Sequence, residues 1–405
     1  MLKTALRHFN ELRPPVRAMV YLHWVYGFVG AMTSVFVQIF LYQRFSSVSF
    51  NIVALAVYFI GCALGFSLVG ALMAWWRINM KWGYLWAFVI LCLSFLFLYG
   101  EVEKNDALLF SFFNGFGLGL YWVTLHTFEL TETKNHERDY YSSVLSAGDQ
   151  IIDLAAPAFA TLLFFLSKDI FHLGSYTLLF AVSPLLYLAG IPLFRHIRTY
   201  RPSPIDRADV RHFLHDRKNR TAQLYLFAGS ANFAFGRIVL PVAAIMFLGS
   251  ETHVGLFNTV FAVISAIALI ALSHYRHSGN RLRFLFVTAM ATAGITLLFA
   301  ARFDLIIFIL FSLCSVVLKP LLRVSSHVID LETMETLGIK GRDFFPTMIL
   351  RDAAFGVWRV LALLLLLGLT SLVGEGENAV RLGLLFLAIA TVLLYTGATL
   401  LYQKK

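Results

Sequence analysis

Residues 126–153 read HTFELTETKNHERDYYSSVLSAGDQIID, and residues 327–352 follow the same pattern as HVIDLETMETLGIKGRDFFPTMILRD. Each stretch begins with a histidine, has an acid three residues later and passes through a polar turn to an Arg-Asp pair before two aromatic residues. Both then enter an apolar run that contains charged residues. The copies lie roughly half a chain apart, a spacing typical of an internally duplicated membrane protein.

The composition places the chain in a membrane. Hydrophobic residues make up 59% of the 405 and charged residues 14%, far from the balance of a water-soluble domain. The net charge of +10 does not indicate a nucleic-acid partner, because the basic residues lie in loops between apolar runs rather than on one face. We therefore expect a multi-pass protein of the cell membrane, the cytoplasmic membrane in a bacterial cell, in contact with the lipid bilayer.

The cysteines and the N-terminal segment suggest neither a metal site nor a removable signal. Cys62, Cys92 and Cys314 lie inside apolar runs, without a CxxC spacing or neighbouring histidines, so we expect no disulfide, no metal and no cofactor. Pro14 and Pro15 interrupt the basic N-terminal stretch, and no small-residue cleavage site follows the next apolar run. The first span is expected to be retained.

Apolar runs of about 20 residues are long enough to cross a hydrocarbon core as helices. Long runs exclude a transmembrane β-barrel, whose strands would be short and alternating. The sequence therefore predicts an all-α protein with twelve transmembrane helices, at about 17–42, 50–75, 82–100, 107–128, 140–166, 175–194, 221–248, 254–273, 283–301, 305–328, 344–370 and 380–402.

The loops predict the orientation and the domain division. Lysine and arginine concentrate in alternate loops, beginning with the N-terminal segment, and the opposite turns hold only Arg44, Lys104, Lys168, Arg302 and Arg381. By the positive-inside rule, both termini are cytoplasmic. The longest and most basic loop, 195–220, divides the spans into a six-helix bundle at 1–194 and another at 221–405. An extended cytoplasmic linker suits two lobes that move against each other.

Twelve spans, a six-plus-six division and a long central loop resemble the major facilitator superfamily over essentially the whole chain. The family's motif between spans 2 and 3 is degenerate here, because Gly70 and Arg77 remain but Ala74 replaces its acid. The resemblance implies a transporter rather than an enzyme. Span 5 has Ala155-Ala156-Pro157 where antiporters of the superfamily often have a Gly-Pro pair, which favours export.

Charged residues inside the predicted spans are the candidates for function, because ionisable groups in a bilayer are costly and usually face a cavity, a pathway or each other. They lie on spans 5, 7, 10 and 11, with His23 on span 1 and two polar residues closing span 4. The resemblance implies that spans 1, 4, 7 and 10 line the transport cavity, helped by 2, 5, 8 and 11. The charge distribution follows that division.

Asp149 and Asp153 are four residues apart, so both carboxylates lie on one helical face of span 5. Burial and the like-charged neighbour favour a carboxyl that carries protons near neutral pH. We therefore interpret the two as a proton-coupling pair. A fixed ion pair with Arg237 or Arg359 is the structural alternative.

Arginines deep in spans 7 and 11 are candidates for binding substrate or balancing charge. Arg237 and Arg359 lie too far from the near interface for simple snorkelling, and a guanidinium gives bidentate recognition of carboxylate or phosphate. Arg351, Asp352 and His23 belong to the same group of substrate or counter-charge residues. Mixed buried charges favour an amphiphilic or anionic solute over a neutral sugar.

The duplicated stretches predict a symmetric cytoplasmic gate. Its residues are His126, Glu129, Arg138 and Asp139 in the first copy and His327, Asp330, Arg342 and Asp343 in the second. A metal pair is the alternative for the two histidines, but each lies at a helix end beside an Arg-Asp pair, and we favour the gate.

These observations predict a secondary active transporter that moves a small organic solute by alternating access, coupled to protons or another ion. No nucleotide-binding motif occurs in the sequence, so we expect an ion gradient rather than ATP as the energy source. We expect a monomer. A non-transporting membrane scaffold or assembly factor that kept the fold is the alternative, favoured by the degenerate motif and opposed by the charges within the spans.

Overall fold

The computed structural model describes residue 9 and residues 12–132, 135–215, 217–273, 281–337 and 344–402. These residues are almost entirely helical and include no strand. In chain order the helices are α1 Pro14–Phe45, α2 Val48–Ala63, α3 Val69–Trp75, α4 Lys81–Ser94, α5 Lys104–Glu132, α6 Asn135–Phe165, α7 Thr177–Gly190, α8 Arg207–His215, α9 Arg217–Leu248, α10 Glu251–Ser273, α11 Arg281–Ala301, α12 Leu305–Leu337, α13 Phe344–Val373 and α14 Glu377–Tyr402.

Irregular helical turns extend four of these helices. Single π-helical turns follow α2 and α6, at Leu64–Leu68 and Leu166–Ile170, and 3-10 turns follow α4 and α7, at Phe95–Leu98 and Ile191–His196. Helices predominate because a backbone in hydrocarbon must satisfy its own hydrogen bonds. Pro157 and Pro241 lie inside α6 and α9, as is tolerated in membrane helices, where neighbouring groups replace the lost hydrogen bond.

Eleven helical segments in the described part of the chain are long and apolar enough to cross a membrane. Each coincides with a predicted span. The remaining predicted span, 305–328, lies in α12, where the described apolar stretch Leu305–Lys319 is shorter. The all-helical, multi-span architecture is thus as predicted, whereas the count of twelve and the orientation of the termini stay predictions.

The chain forms two compact units. Unit 1 comprises Met1–Ser34 and Ile60–Ile205, and unit 2 comprises Val35–Phe59 and Asp206–Lys405. The predicted bundles at 1–194 and 221–405, with their linker, stay a prediction.

In unit 1, α5 packs against the end of α2 at backbone distance. A Cβ on Gly65 would collide with the carbonyl oxygen of Phe116, and a Cβ on Gly119 would collide with that of Cys62. Only glycine fits at both positions, and such small residues let membrane helices approach closely. The close packing fixes the part of α5 that carries the site residues described below.

In unit 2, the core lies where α9, α11 and α14 meet. Buried side chains on these helices include Tyr225, Leu285 and Ala398, and α8 adds Phe213, which is 4% exposed. The short helix α8 also carries Arg207, Arg211 and His215. Burial of Phe213 anchors this partly basic helix to the core.

One carboxylate joins two turns of unit 2. Glu375 lies between α13 and α14 and accepts hydrogen bonds at the start of α2, from the backbone N–H of Val48 at 2.7 Å and from the hydroxyl of Ser47 at 3.0 Å. The backbone N–H of Ser49 also donates to it, at 3.2 Å. An anion at a helix N-terminus is favourable, because the unpaired N–H groups and the helix dipole point toward it. We call this contact the Glu375 clamp.

Candidate functional site

In unit 1, His23 of α1 lies between a phenol on α5 and a carboxylate on α6. Its Nδ1 is 2.8 Å from the hydroxyl of Tyr121, and its Nε2 is 3.2 Å from Oδ1 of Asp149. The imidazole is nearly buried, with 11% of its side chain exposed, and the aspartate side chain is 34% exposed. Both ring nitrogens are thus occupied by groups that can exchange protons with them. We call these three residues the histidine site.

Local packing explains why Asp149 reaches His23. The preceding residue, Gly148, lies directly against the indole of Trp24 on α1, and a Cβ there would collide with the ring. Because α6 approaches α1 so closely at Gly148, the next residue lies within hydrogen-bonding distance of the first helix. Gly148 therefore allows the Asp149 carboxylate to lie next to His23.

Aromatic rings enclose the other sides of the histidine site. The Tyr26 ring stacks on Tyr121 with centroids 3.9 Å apart, and Trp122 meets His23 edge to face at 6.1 Å. Stacked and edge-to-face rings hold one another in fixed orientations. The imidazole therefore lies in a rigid, mostly apolar setting, which strengthens its interaction with the carboxylate.

The two predicted proton-coupling residues differ in their surroundings. Both lie on α6, one turn apart, but Asp149 contacts His23 whereas Asp153 is exposed. The contact with His23 was not part of the sequence-based prediction, which had grouped the histidine with the arginines. No helical periodicity links a residue on α1 to one on α6, so only the fold reveals this pair.

The first half of the predicted gate contains a second cluster of polar residues. Nδ1 of His126 lies 3.0 Å from Oε2 of Glu129, and the hydroxyl of Tyr141 donates to Oε1 at 3.1 Å. This joins the end of α5 to the start of α6. The contact between histidine and acid follows from their spacing of three residues, which places both on one helical face.

The rest of the predicted gate lies outside what the structure describes. Arg138 and Asp139 are on α6, and His327 and Asp330 are on α12, but their side chains are not among the described ones. Arg342 and Asp343 lie outside the described residues altogether. The symmetric gate therefore stays a prediction.

Another acid at the end of α5 was not anticipated from the sequence. Glu132 is 8% exposed, and its Oε2 lies 3.8 Å from Arg13 and 3.8 Å from Arg198. The guanidinium of Arg13 also donates to the backbone carbonyl of Glu132. These contacts join the N-terminal segment, α5 and the stretch after α7 in unit 1. The sequence carries no local signal for these contacts, because the two arginines are distant from Glu132 in the chain.

In unit 2, Arg237 of α9 is held by aromatic side chains. Its Nη1 donates to the hydroxyl of Tyr58 at 3.3 Å, and the guanidinium carbon lies 5.7 Å from the centroid of that ring. The Phe233 ring, one turn away on α9, is 5.3 Å from the same carbon. Both distances are within the range of a cation–π interaction.

Arg359 of α13 lies against the same phenylalanine. Its guanidinium carbon is 4.8 Å from the Phe233 ring, 5.2 Å from Phe59 and 5.4 Å from Phe355. Phe233 therefore contacts both Arg237 and Arg359. The structure brings the two predicted arginines together through a shared aromatic ring.

Arg351 continues the arrangement along α13. Its guanidinium carbon is 5.5 Å from the Phe355 ring, and its Nη2 lies 2.9 Å from Oδ2 of Asp352. Phe355 thus lies between Arg351 and Arg359. Guanidinium groups and rings alternate along the series Arg351, Phe355, Arg359, Phe233, Arg237 and Tyr58, which we call the arginine ladder.

Part of the ladder was readable from the sequence. Arg351, Phe355 and Arg359 follow a spacing of four residues, which places them on one helical face. The contributions of Phe233, Phe355 and Tyr58 were missed, since aromatic residues are common throughout this chain. Within the described residues, no group of three or more His, Cys, Asp and Glu side chains is arranged to hold a metal ion.

Comparison with known proteins places the chain in a family. The sequence model of the Major Facilitator Superfamily matches residues 19–328. No curated protein matches the chain by sequence. Among solved structures, the nucleoside transporter NupG superposes with a TM-score of 0.64 and 11% identity, over 96% of this chain and 99% of that one. A POT family transporter in complex with a thioalcohol-conjugated peptide gives a TM-score of 0.70 and 12% identity, over 98% and 99%.

At these identities the two structures show a shared fold. The family match covers more than half of the chain and includes α1, α5, α6 and α9, which carry the histidine site and part of the ladder. Together with the membrane-spanning helices, it identifies a multi-pass membrane protein of a transporter family, as the sequence had predicted. The chain belongs to the Major Facilitator Superfamily.

Proposed function

We propose that the protein is a secondary active transporter that moves a small organic solute by alternating access, coupled to protons and in the direction of export. Twelve spans in two six-helix bundles, with both termini in the cytoplasm, are part of this proposal and are supported by the distribution of lysine and arginine. The direction is supported by the Ala155-Ala156-Pro157 stretch of α6.

The observation that carries proton coupling is the position of His23 between Tyr121 and Asp149. His23 and Asp149 both lie within candidate membrane spans, where ionisable groups are costly and commonly mark a proton pathway. Here the carboxylate, the imidazole and the phenol come from three different helices. Protonation at this point therefore changes the contacts between helices, which is what coupling a proton to a conformational change requires.

The proton positions follow from the chemistry of the three groups. With Asp149 ionised and His23 neutral, Nε2–H donates to the carboxylate and Nδ1 accepts from the Tyr121 hydroxyl. When the imidazole gains a proton, Nδ1–H donates and the phenol oxygen accepts, so the Tyr121 hydroxyl must rotate. When Asp149 gains the proton instead, its hydrogen bond with His23 loses its charge-assisted character and weakens. In this proposal, Asp149 carries the proton and Asp153 assists at the exposed end of the pathway.

The experiment that tests the proposal measures proton movement in liposomes. The purified protein is reconstituted with a pH dye inside, and solutes from several classes are added outside. They include aromatic acids, a nucleoside and a dipeptide, the latter two because nucleosides and peptides are named for the similar structures. We expect one class to move protons with the wild type, and D149N and H23Q to abolish this movement.

A matched control keeps the comparison specific. Asp169 lies in the π-helical turn after α6 and is exposed, so D169N removes an acid from the same segment without touching the histidine site. We expect D169N to move protons at the wild-type rate. Proton movement that survives in D149N would overturn the coupling role, and a wild type that transports no solute would favour the membrane scaffold.

A further inference from the structure

The arginine ladder lies deep within the candidate spans. Arg237 is near the middle of Thr221–Leu248, and Arg359 is near the middle of Phe344–Val373. A guanidinium at such a depth is costly in contact with lipid, so these groups face protein or a water-filled cavity. The ladder is therefore a structure built inside the bundle and not a snorkelling surface.

Contacts with aromatic rings fix the orientation of the arginine guanidinium groups. A ring face attracts a cation through its quadrupole and fixes the plane of the guanidinium. The planar fork of the guanidinium matches the geometry of carboxylate and phosphate groups. Arg237 and Arg359 are thus pre-oriented groups of a kind that bind oxyanions.

The ring between the two arginines is accessible. Phe233 is 46% exposed, whereas Phe59, which also contacts Arg359, is 1% exposed. The two arginines in contact with Phe233 are costly in contact with lipid, which disfavours a lipid-facing position for its exposed face. A flat apolar surface between two guanidinium groups is suited to a solute that joins an aromatic ring to an anionic group.

We propose that the arginine ladder binds aromatic anions, with the carboxylate or phosphate on Arg237 and Arg359 and the aromatic ring stacked on Phe233. The inference rests on the proposed transport function and names its substrate class. Tyr58 and Phe355 orient the two arginines from either end. Arg351, paired with Asp352, positions Phe355 and does not contact the solute.

Binding tests this inference without any proton gradient. The full-length protein is placed in lipid nanodiscs, and 1-naphthoate is titrated by calorimetry. We expect it to bind roughly tenfold or more tightly than 1-naphthamide, which has the ring without the charge. R237Q and R359Q are each expected to weaken its binding by roughly 10- to 100-fold, since each removes a hydrogen-bonding partner of the anion.

Two further variants separate charge from ring stacking. F233L removes no charge, and we expect it to weaken 1-naphthoate binding by roughly 3- to 10-fold while leaving cyclohexanecarboxylate binding unchanged. R381Q is the matched control, because Arg381 also lies over a ring in unit 2, Phe303 at 5.7 Å, but at the start of α14 and outside the ladder. It should bind 1-naphthoate as the wild type does.

Each outcome has a defined meaning. The inference is overturned if 1-naphthoate does not bind the wild type, if R237Q and R359Q bind it normally, or if F233L keeps the full preference for the aromatic acid. Tighter binding of 1-naphthyl phosphate supports the site and assigns phosphate as its anion. Normal binding without proton movement in liposomes would overturn the proposed coupling and leave the ladder site standing.

Discussion

His23 and Asp149 are 126 positions apart in the chain, yet Nε2 of the histidine lies 3.2 Å from Oδ1 of the aspartate. The contact joins α1 to α6, and Tyr121 of α5 occupies the other ring nitrogen. One imidazole thereby connects three helices of unit 1. A change in its protonation therefore alters two hydrogen bonds at once.

The two acids of α6 should contribute differently to proton coupling. Asp149 contacts His23, and Asp153 is exposed. We expect D149N to abolish solute-driven proton movement in liposomes and D153N to slow it without abolishing it. If D153N abolishes the movement while D149N retains it, Asp153 rather than Asp149 carries the proton.

The hydroxyl of Tyr121 should contribute more to the free energy of unfolding than the hydroxyl of Tyr84. Y121F removes the hydroxyl 2.8 Å from His23, and we expect a loss of about 1 kcal/mol in the free energy of unfolding, typical of one hydrogen bond. Y84F is the control, because the buried hydroxyl of Tyr84 has no hydrogen-bond partner among the described residues. Thermal unfolding in detergent measures both, and an equal loss in the two variants would contradict the role of Tyr121.

The Glu375 clamp should make the free energy of unfolding depend on pH in the acid range. Partial burial raises the pKa of Glu375, but hydrogen bonds from Ser49, Ser47 and the backbone N–H of Val48 outweigh it and lower the pKa below the ordinary 4.5. A lowered pKa means that the contribution to stability is complete above 4.5 and disappears as the pH falls through the lowered value.

E375Q should therefore unfold at a lower temperature than the wild type at neutral pH, with the difference vanishing in strong acid. Unfolding midpoints measured across the acid range test this. E101Q, which changes an exposed acid in a turn of unit 1, should match the wild type throughout. A difference between E375Q and the wild type that stays constant with pH would show that the carboxylate charge is not responsible.

The contact between α5 and the end of α2 should not tolerate a methyl group. G65A and G119A each place a Cβ against a backbone carbonyl oxygen, and we expect each to lower the free energy of unfolding by about 1–3 kcal/mol. G30A is the control, because nothing lies within 4 Å of a Cβ at Gly30. In α1 it should stabilise by about 0.5–1 kcal/mol, the helix-propensity difference. Normal stability of G65A and G119A would mean that the helices can separate without loss.

Local periodicity predicted much of this molecule. Apolar runs give the membrane helices, because each satisfies its own backbone and needs no partner to be detected. The same holds for the contact between His126 and Glu129 within one helix. The row Arg351, Phe355 and Arg359 was not predicted, although its spacing of four residues is equally regular. These features depend on spacing alone.

The contacts between helices could not be derived in that way. The pairing of His23 with Asp149 depends on how closely α6 approaches α1 at Gly148, and the joint contact of Arg237 and Arg359 with Phe233 depends on the packing of α9 against α13. Similarly, the two arginines around Glu132 come from distant segments. Packing geometry sets these neighbours, and a single sequence carries no periodic signal for them.

Unit 2 is built from two separate segments of the chain, which limits where the polypeptide can be cut. A polypeptide that begins at Asp206 contains Arg237 and Arg359 but lacks Tyr58 and Phe59, which belong to the separate segment Val35–Phe59. It also retains Glu375 without the three residues that donate to it. If the gene is split between residues 205 and 206, the first product must supply that segment to the second. Recovery of aromatic-anion binding on co-expression would then report correct assembly of the two products.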